Sequence, residues 1–191
     1  MPGHVEVVCG PMFAGKTEEL LRRVRRARLA GLDVEVVNHA LDDRRGPGLV
    51  SSHDGVSEAS RSAPDAAGVR ALLTNHSPDL VAIDEAQFFG PDLVGVVDEL
   101  AARGVTVVVS GLSVTFDGRP FEPLPTLMAT AERVTRLTAV CAVCGGDAAF
   151  HQRVDPRPPA DALTPLVEHV GGIEAYQARC RHHRDSLHPA D

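Results

Sequence analysis

The chain has 191 residues, 43% of them apolar, with 19 basic against 26 acidic residues and a net charge of −7 with histidine neutral. That length holds one ordinary domain plus a small appendage, and the acidic balance argues against nucleic acid as a partner, because phosphate backbones are bound by net positive surfaces. No apolar run approaches the ~20 residues of a membrane span, and the early one lacks the basic leader of a secretory signal, so a cytoplasmic protein without a membrane partner is expected.

Trp is absent and aromatics are few, so branched aliphatics must fill the core. Val5 to Cys9 reads as a buried strand, and Gly10-Pro11-Met12-Phe13-Ala14-Gly15-Lys16-Thr17 follows it directly. That octet fits G-x-x-x-x-G-K-[ST], a phosphate-binding loop. Its glycines let the backbone approach phosphate, its N–H groups and the helix N-terminus face the anion, Lys16 can reach the β- and γ-phosphates, and Thr17 can offer its hydroxyl to Mg²⁺. Thr17 to Ala30 has helical periodicity through Leu20, Leu21, Val24 and Ala27. Arg22, Arg23, Arg25, Arg26 and Arg28 cover its other face, read as solvated, with Glu18 and Glu19 placed to pair with Arg22 and Arg23. Gly31 ends the helix.

Val34 to Val37 is a second strand, 41–64 a long loop, and Ala66 to Thr74 a short helix. Leu80 to Asp84 is a third, continuously apolar strand ending in a carboxylate, with Glu85 next. A helix over Pro91 to Arg103, a strand over Val105 to Val109, a loop over 111–125, a helix over Thr126 to Arg133 and a last strand over Val134 to Val140 follow. Strands that are apolar throughout and alternate with helices predict an α/β fold, a parallel sheet covered on both faces. From Cys141 the composition shifts toward Gly, Pro, Arg and His, so residues 1–140 are expected to form the nucleotide-binding domain and 141–191 a second, small unit with a polar tail.

Asp84 sits where a phosphate-loop protein holds Mg²⁺, directly or through water. Glu85 is then available as base on an attacking oxygen, of water or of a substrate hydroxyl. Cys141-x-x-Cys144 and Cys180-x-x-His183 are two chelate pairs of zinc spacing, which predicts a closed, structural Cys₃His site. His183 keeps the two-residue spacing and is preferred to adjacent His182. Cys9 reads as a buried small hydrophobe, and the remaining histidines as surface residues.

Taken in order, Gly10 to Thr17, Asp84-Glu85-Ala86-Gln87-Phe88-Phe89, Phe116-Asp117-Gly118-Arg119-Pro120-Phe121, the cysteine pair, and Gly171-Gly172…Tyr176…Cys180-Arg181-His182-His183 resemble the zinc-containing, type II thymidine kinase family over nearly the whole chain. The resemblance implies ATP-dependent phosphorylation of the 5′-hydroxyl of thymidine, and of deoxyuridine, with Glu85 as the general base. It implies an ATP site of Gly10, Pro11, Met12, Phe13, Ala14, Gly15, Lys16, Thr17, Asp84 and Gln87, with Thr17 and Asp84 holding Mg²⁺. The nucleoside falls to Met12, Phe116, Arg153, Val170, Gly171 and Tyr176, under a zinc-stapled "lasso" of residues 141–191. A homotetramer inhibited by dTTP is implied as well.

The chain departs from the family at two places. Ser113 stands where the family usually carries Asp, and Asn38-His39 where it commonly has a Lys after the second strand, although Asp42 and Arg44 fit the family's nearby Asp-x-Arg. A P-loop ATPase whose zinc unit binds DNA would instead use Glu85 on water, but the acidic charge and small size count against it. No Asn-Lys-x-Asp sequence for guanine recognition appears.

Overall fold

The computed structural model describes residues 3–41, 49–51, 57–154 and 175–184. Six parallel strands form the main sheet: β1 (His4–Gly10), β2 (Val34–His39), β5 (Arg61–Ala63), β6 (Leu80–Ile83), β7 (Thr106–Leu112) and β8 (Arg133–Arg136), in the spatial order β5-β2-β6-β7-β1-β8. Successive residues of the central strands feed opposite faces, as the pleat requires. Val7, Cys9, Val81, Ile83, Val107 and Val109 pack on one side with α2 (Ala66–Leu72), α3 (Leu93–Ala102) and α4 (Leu124–Thr130). Val8, Leu80, Ala82 and Val108 pack on the other with Leu20, Leu21, Val24 and Ala27 of α1 (Lys16–Leu29). Apolar residues on both faces leave no solvated side, which is why these strands read as unbroken hydrophobic runs. Cys9 is core, as expected, and its burial pushes the thiol pKa up.

The helix faces also follow the predicted periodicity. At its end, Gly31 N–H donates to Arg28 O (2.9 Å) and Leu32 N–H to Ala27 O (3.1 Å). Arg23 is less solvated than the sequence suggests. It pairs with Glu19 one turn back (2.9 Å) and crosses to Glu6 on β1 (2.7 Å), which also meets Arg133 of β8 (2.6 Å). The buried Glu6 carboxylate therefore joins α1 to both strands it lies over.

Three expectations are corrected. The 41–64 segment is not an unstructured loop. It contains an antiparallel pair, β3 (Leu49–Ser51) and β4 (Ser57–Ala59), and then β5, which extends the main sheet beside β2. These strands are three residues each, too short for a period of two to show above the polar composition. Helix α4 starts earlier than predicted, because Pro125 lies in its first turn, where a missing N–H costs nothing. The expected strand over 134–140 is two: β8 pairs with β1, whereas β9 (Ala139–Val140) leaves the sheet and pairs with β10 (Asp147–Ala148). A second ribbon follows, β11 (Phe150–Arg153) against β12 (Tyr176–Arg179). Among the described residues, no helix is long and apolar enough to cross a membrane.

Near the carboxyl end of β7, a Cβ at Gly111 would stand 2.6 Å from Gln87 Oε1, 2.9 Å from Leu124 Cδ2 and 3.2 Å from Ala86 N. Only glycine lets the sheet end approach the turn after β6 this closely. Gly111→Ala is expected to destabilise the protein by about 1–3 kcal/mol, the usual cost of overpacking a filled site, read as a lower urea midpoint at unchanged m.

Candidate active site

The carboxyl ends of β1, β6 and β7 converge, as ligand-binding ends of open parallel sheets do. Residues between β1 and α1 form the phosphate loop, with two backbones in the left-handed region, Phe13 (φ 66°) and Gly15 (φ 78°). No side chain caps α1, so its first N–H groups remain available to an anion. Lys16 Nζ donates to Pro11 O within the loop (2.8 Å). Thr17 Oγ1 donates to Asp84 Oδ2 (2.9 Å), so the expected Mg²⁺ pair is in contact across two strands.

Asp84 is almost wholly buried, and its other oxygen accepts Glu85 N–H (3.0 Å). Burial, then the neighbouring Glu85 charge, raises its pKa from the ordinary 3.8 to about 6. Thr17 opposes the rise, as does Ser110, close enough to ease the charge though without a well-aligned hydrogen bond. Glu85 itself occupies the left-handed region (φ 51°), where a residue with a Cβ is strained. Its carboxylate is held by Gln87, whose Nε2 donates to Glu85 Oε2 (2.5 Å) while Oε1 accepts Leu112 N–H from β7 (2.9 Å). Gln87, grouped with the ATP residues by sequence, is thus buried behind Glu85 and ties it to the sheet.

The metal-type residues also meet. The ligand atoms of Cys141, Cys144, Cys180 and His183 all lie within 4.8 Å of one another, and His182 is not among them. Separations of 3.9 Å (Cys144 Sγ to Cys180 Sγ) and 3.9 Å (Cys141 Sγ to His183 Nδ1) are close to the edges of a tetrahedron around an ion with ~2.3 Å bonds to sulfur. Burial works against a Cys141 thiolate, but the backbone N–H groups of Cys180, Cys144 and Val143 outweigh it and bring that thiol down to about 5. The cluster can hold a zinc ion. Its small core of Ala139, Cys141, Ala148, Ala178 and Cys180 packs against Phe13 and Ala14 of the phosphate loop. The metal unit is therefore seated on the loop itself.

Of the expected nucleoside residues, Phe116 and Tyr176 come together, with ring centroids 6.4 Å apart. Phe116 rides on a tight turn in which Thr115 N–H donates to Arg119 O (2.9 Å), Phe121 N–H to Ser113 O (3.2 Å) and Arg119 pairs with Asp117 (2.6 Å). The Asp-Gly-Arg part of that motif thus shapes a turn. Arg153 faces Tyr176 across the β11–β12 pair, and Met12 is half-buried in the phosphate loop. Val170, Gly171, Asp42 and Arg44 lie outside the described residues.

Two histidines read as surface residues are buried. His39 Nδ1 accepts Leu41 N–H (3.1 Å) and its ring packs edge-on to Phe89 (4.7 Å). His151 packs edge-on to Tyr176 (5.9 Å). For His39 the sequence signal was its place at the end of a largely apolar strand, whereas the polar strand Phe150–Arg153 gave none for His151. Asn38 is buried and accepts from the Ser62 (2.9 Å) and Ser60 (3.3 Å) hydroxyls, so at the family's lysine position this chain has a pin for β5. Ser113 is also buried, and its Oγ has no hydrogen-bond partner among the described residues.

A family model described as thymidine kinase matches residues 3–184. The thymidine kinase of Halobacterium salinarum is 51% identical over 94% of this chain and 92% of its own. That of Deinococcus deserti is 45% identical over 95% and 94%, and that of Bdellovibrio bacteriovorus 46% identical over 95% and 85%.

The raised Asp84 pKa has a thermodynamic consequence. Folding takes up a proton at this carboxyl between its unfolded value near 4 and the folded value of about 6, so stability falls as pH rises through that window. Asp84→Asn removes the buried charge. Relative to the parent, it is expected to gain about 1–3 kcal/mol at pH 7.5, a gain that vanishes near pH 4, while phosphoryl transfer is lost; urea titrations at the two pH values check it.

Proposed function

The chain belongs to the thymidine kinase family and is an ATP-dependent nucleoside kinase, and we propose that Glu85 is the general base that takes the proton from the 5′-hydroxyl of thymidine as it attacks the γ-phosphorus of ATP. The observation that supports this role is the clamp on Glu85. Gln87 fixes the carboxylate from behind at 2.5 Å, next to the Thr17–Asp84 pair and the phosphate loop. A base must be positioned before its pKa matters, and this one is tied to the same sheet that carries the phosphate cradle.

The rest of the assignment rests on the same arrangement together with the family resemblance. Lys16 exchanges its contact with Pro11 O for the β- and γ-phosphates, and loop N–H groups from Gly10 to Thr17 hold their oxygens. Thr17 and Asp84 would hold the Mg²⁺ that accompanies ATP, which supplies positive charge to phosphates as negative charge moves between them. Met12, Phe116, Arg153, Val170, Gly171 and Tyr176 take the nucleoside. Residues 1–140 form the ATP-binding part and 141–191 the lid.

Zinc on Cys141, Cys144, Cys180 and His183 would hold that lid together, since among the described residues the core beneath it is five small residues. A kinase must exclude water from ATP, and a lid resting on Phe13 and Ala14 suits that task. Acceptance of deoxyuridine, inhibition by dTTP, a homotetramer and a cytoplasmic location belong to the same proposal and rest on the family resemblance.

Glu85→Gln is expected to lower kcat for thymidine monophosphate formation by about 10²–10⁴-fold, the usual contribution of a positioned base. ATP affinity measured by calorimetry should stay within about threefold, and unchanged turnover would refute the assignment. Purified protein is expected to carry about one zinc per chain by elemental analysis, the four donors making one tetrahedral site. Cys180→Ser should lose that zinc, lower the melting temperature and abolish turnover.

A further inference from the structure

His151 belongs to none of the roles assigned so far. The β11–β12 register pairs His151 with Ala178 and Arg153 with Tyr176. Side chains directly opposite in an antiparallel pair share a face, and so do residues two apart. His151, Arg153, Tyr176 and Ala178 therefore lie on one face of the ribbon, the face proposed to meet the nucleoside. The His151 ring is 3% exposed. It packs edge-on against Tyr176 (5.9 Å, 69°), which itself faces Phe116.

The Lys16 charge also acts on the ring. Burial first, and that charge second, push the imidazole pKa down to about 3, so the ring is neutral under any working condition. His151 thus packs on the aromatic pair within reach of the phosphate-binding lysine's charge. Its Nδ1 is buried and has no hydrogen-bond partner among the described residues. Polar atoms left this way in an interior are costly and are normally completed by another group. The acceptor substrate must lie close to the phosphate loop for its 5′-oxygen to reach the transferred phosphoryl group, and the aromatic pair that His151 packs on is proposed to hold it.

We propose that His151, as a neutral imidazole, hydrogen-bonds the bound pyrimidine nucleoside through Nδ1 and is a specificity-determining residue of the acceptor site, a proposal that rests on the nucleoside-kinase reading above. A neutral ring presents one donor and one acceptor. It can therefore answer a carbonyl, an imide N–H or a sugar hydroxyl without placing a second positive charge beside Lys16.

The test is steady-state kinetics of the zinc-replete protein with two variants. His151→Leu keeps the bulk and removes the polar atom. It should raise the thymidine KM about tenfold, with the ATP KM within about twofold and zinc content and melting temperature near those of the parent. His151→Asn, whose amide returns a polar atom near the place of Nδ1, should bring the thymidine KM back to within about threefold of the parent. In the parent, the His151 ring ¹⁵N resonances should shift on adding thymidine and stay in place on adding ADP. A Leu variant with an unchanged thymidine KM overturns the proposal. So does a parallel rise in both KM values with loss of zinc, which marks a purely structural ring. A parent that makes no thymidine monophosphate defeats the kinase reading instead. Calorimetric thymidine binding then judges His151 separately: about tenfold weaker binding in the Leu variant supports the contact, and equal binding refutes it.

Discussion

Two adjacent carboxylates, Asp84 and Glu85, sit at the end of a strand whose four residues are all buried, and the protein is built around keeping both in place. Burial disfavours charge on Asp84, and Glu85 disfavours it further. The fold answers with short-range donors: the Thr17 hydroxyl, the Glu85 N–H and the nearby Ser110. Those donors come from α1, the turn after β6 and strand β7, so the acidic pair and the sheet order are one problem. A strand between β1 and β6 is needed to bring Ser110 and Leu112 to the pair, and β7 is that strand. The left-handed backbone at Glu85 fits the same account. It is a local cost tolerated because it turns the carboxylate toward Gln87 and the phosphate loop.

A second dependence runs from the Cys₃His cluster to the phosphate loop. Among its described residues the C-terminal unit has two-stranded ribbons and a core of small residues, which is little apolar surface to hold a fixed shape alone. A metal bound at the four donors would supply the missing cross-link. What that cross-link fixes is not remote from the chemistry, because Phe13 and Ala14 of the loop are part of the same packing. The positive φ at Phe13 places its ring there. Disturbing the four-residue cluster is therefore expected to disturb the phosphate loop as well.

Much of this was legible in the residues, for identifiable reasons. The phosphate loop, the strand-end Asp84-Glu85 and the two chelate pairs are local patterns, in which spacing along the chain already determines spacing in space. The parallel sheet was legible because strands covered on both faces have continuous apolar composition. What was hidden depends on partners far away in sequence. Strand β5 is three polar-flanked residues and exists because β2 offers an edge. The break after Arg136 exists because β1 ends at the phosphate loop and has no more edge to give. The motif put Gln87 at the site, and only the fold shows that its amide oxygen also accepts Leu112 N–H from β7.

The histidines and the two departures from the family pattern show the same limit from the other side. Asn38 replaces a long cation with a short amide, and in sequence that reads as a loss near the active site. In the fold, its carbonyl oxygen collects two serine hydroxyls and secures the sheet edge, so the substitution changes which job the position does. His39 beside it fills the space against Phe88 and Phe89. His151 is different, since its packing satisfies the ring faces and leaves Nδ1 over. A site that is structurally complete has no spare polar atoms; among the described residues the buried ones left over include Ser110, Ser113, His151 and Arg179, and of these Ser113 and His151 lie on segments that border the proposed acceptor pocket. Ser110 is left over beside Asp84, whose charge it eases, so an unfinished hydrogen bond points to a ligand only where, as at His151, the residue also packs on the aromatic pair proposed to meet the nucleoside.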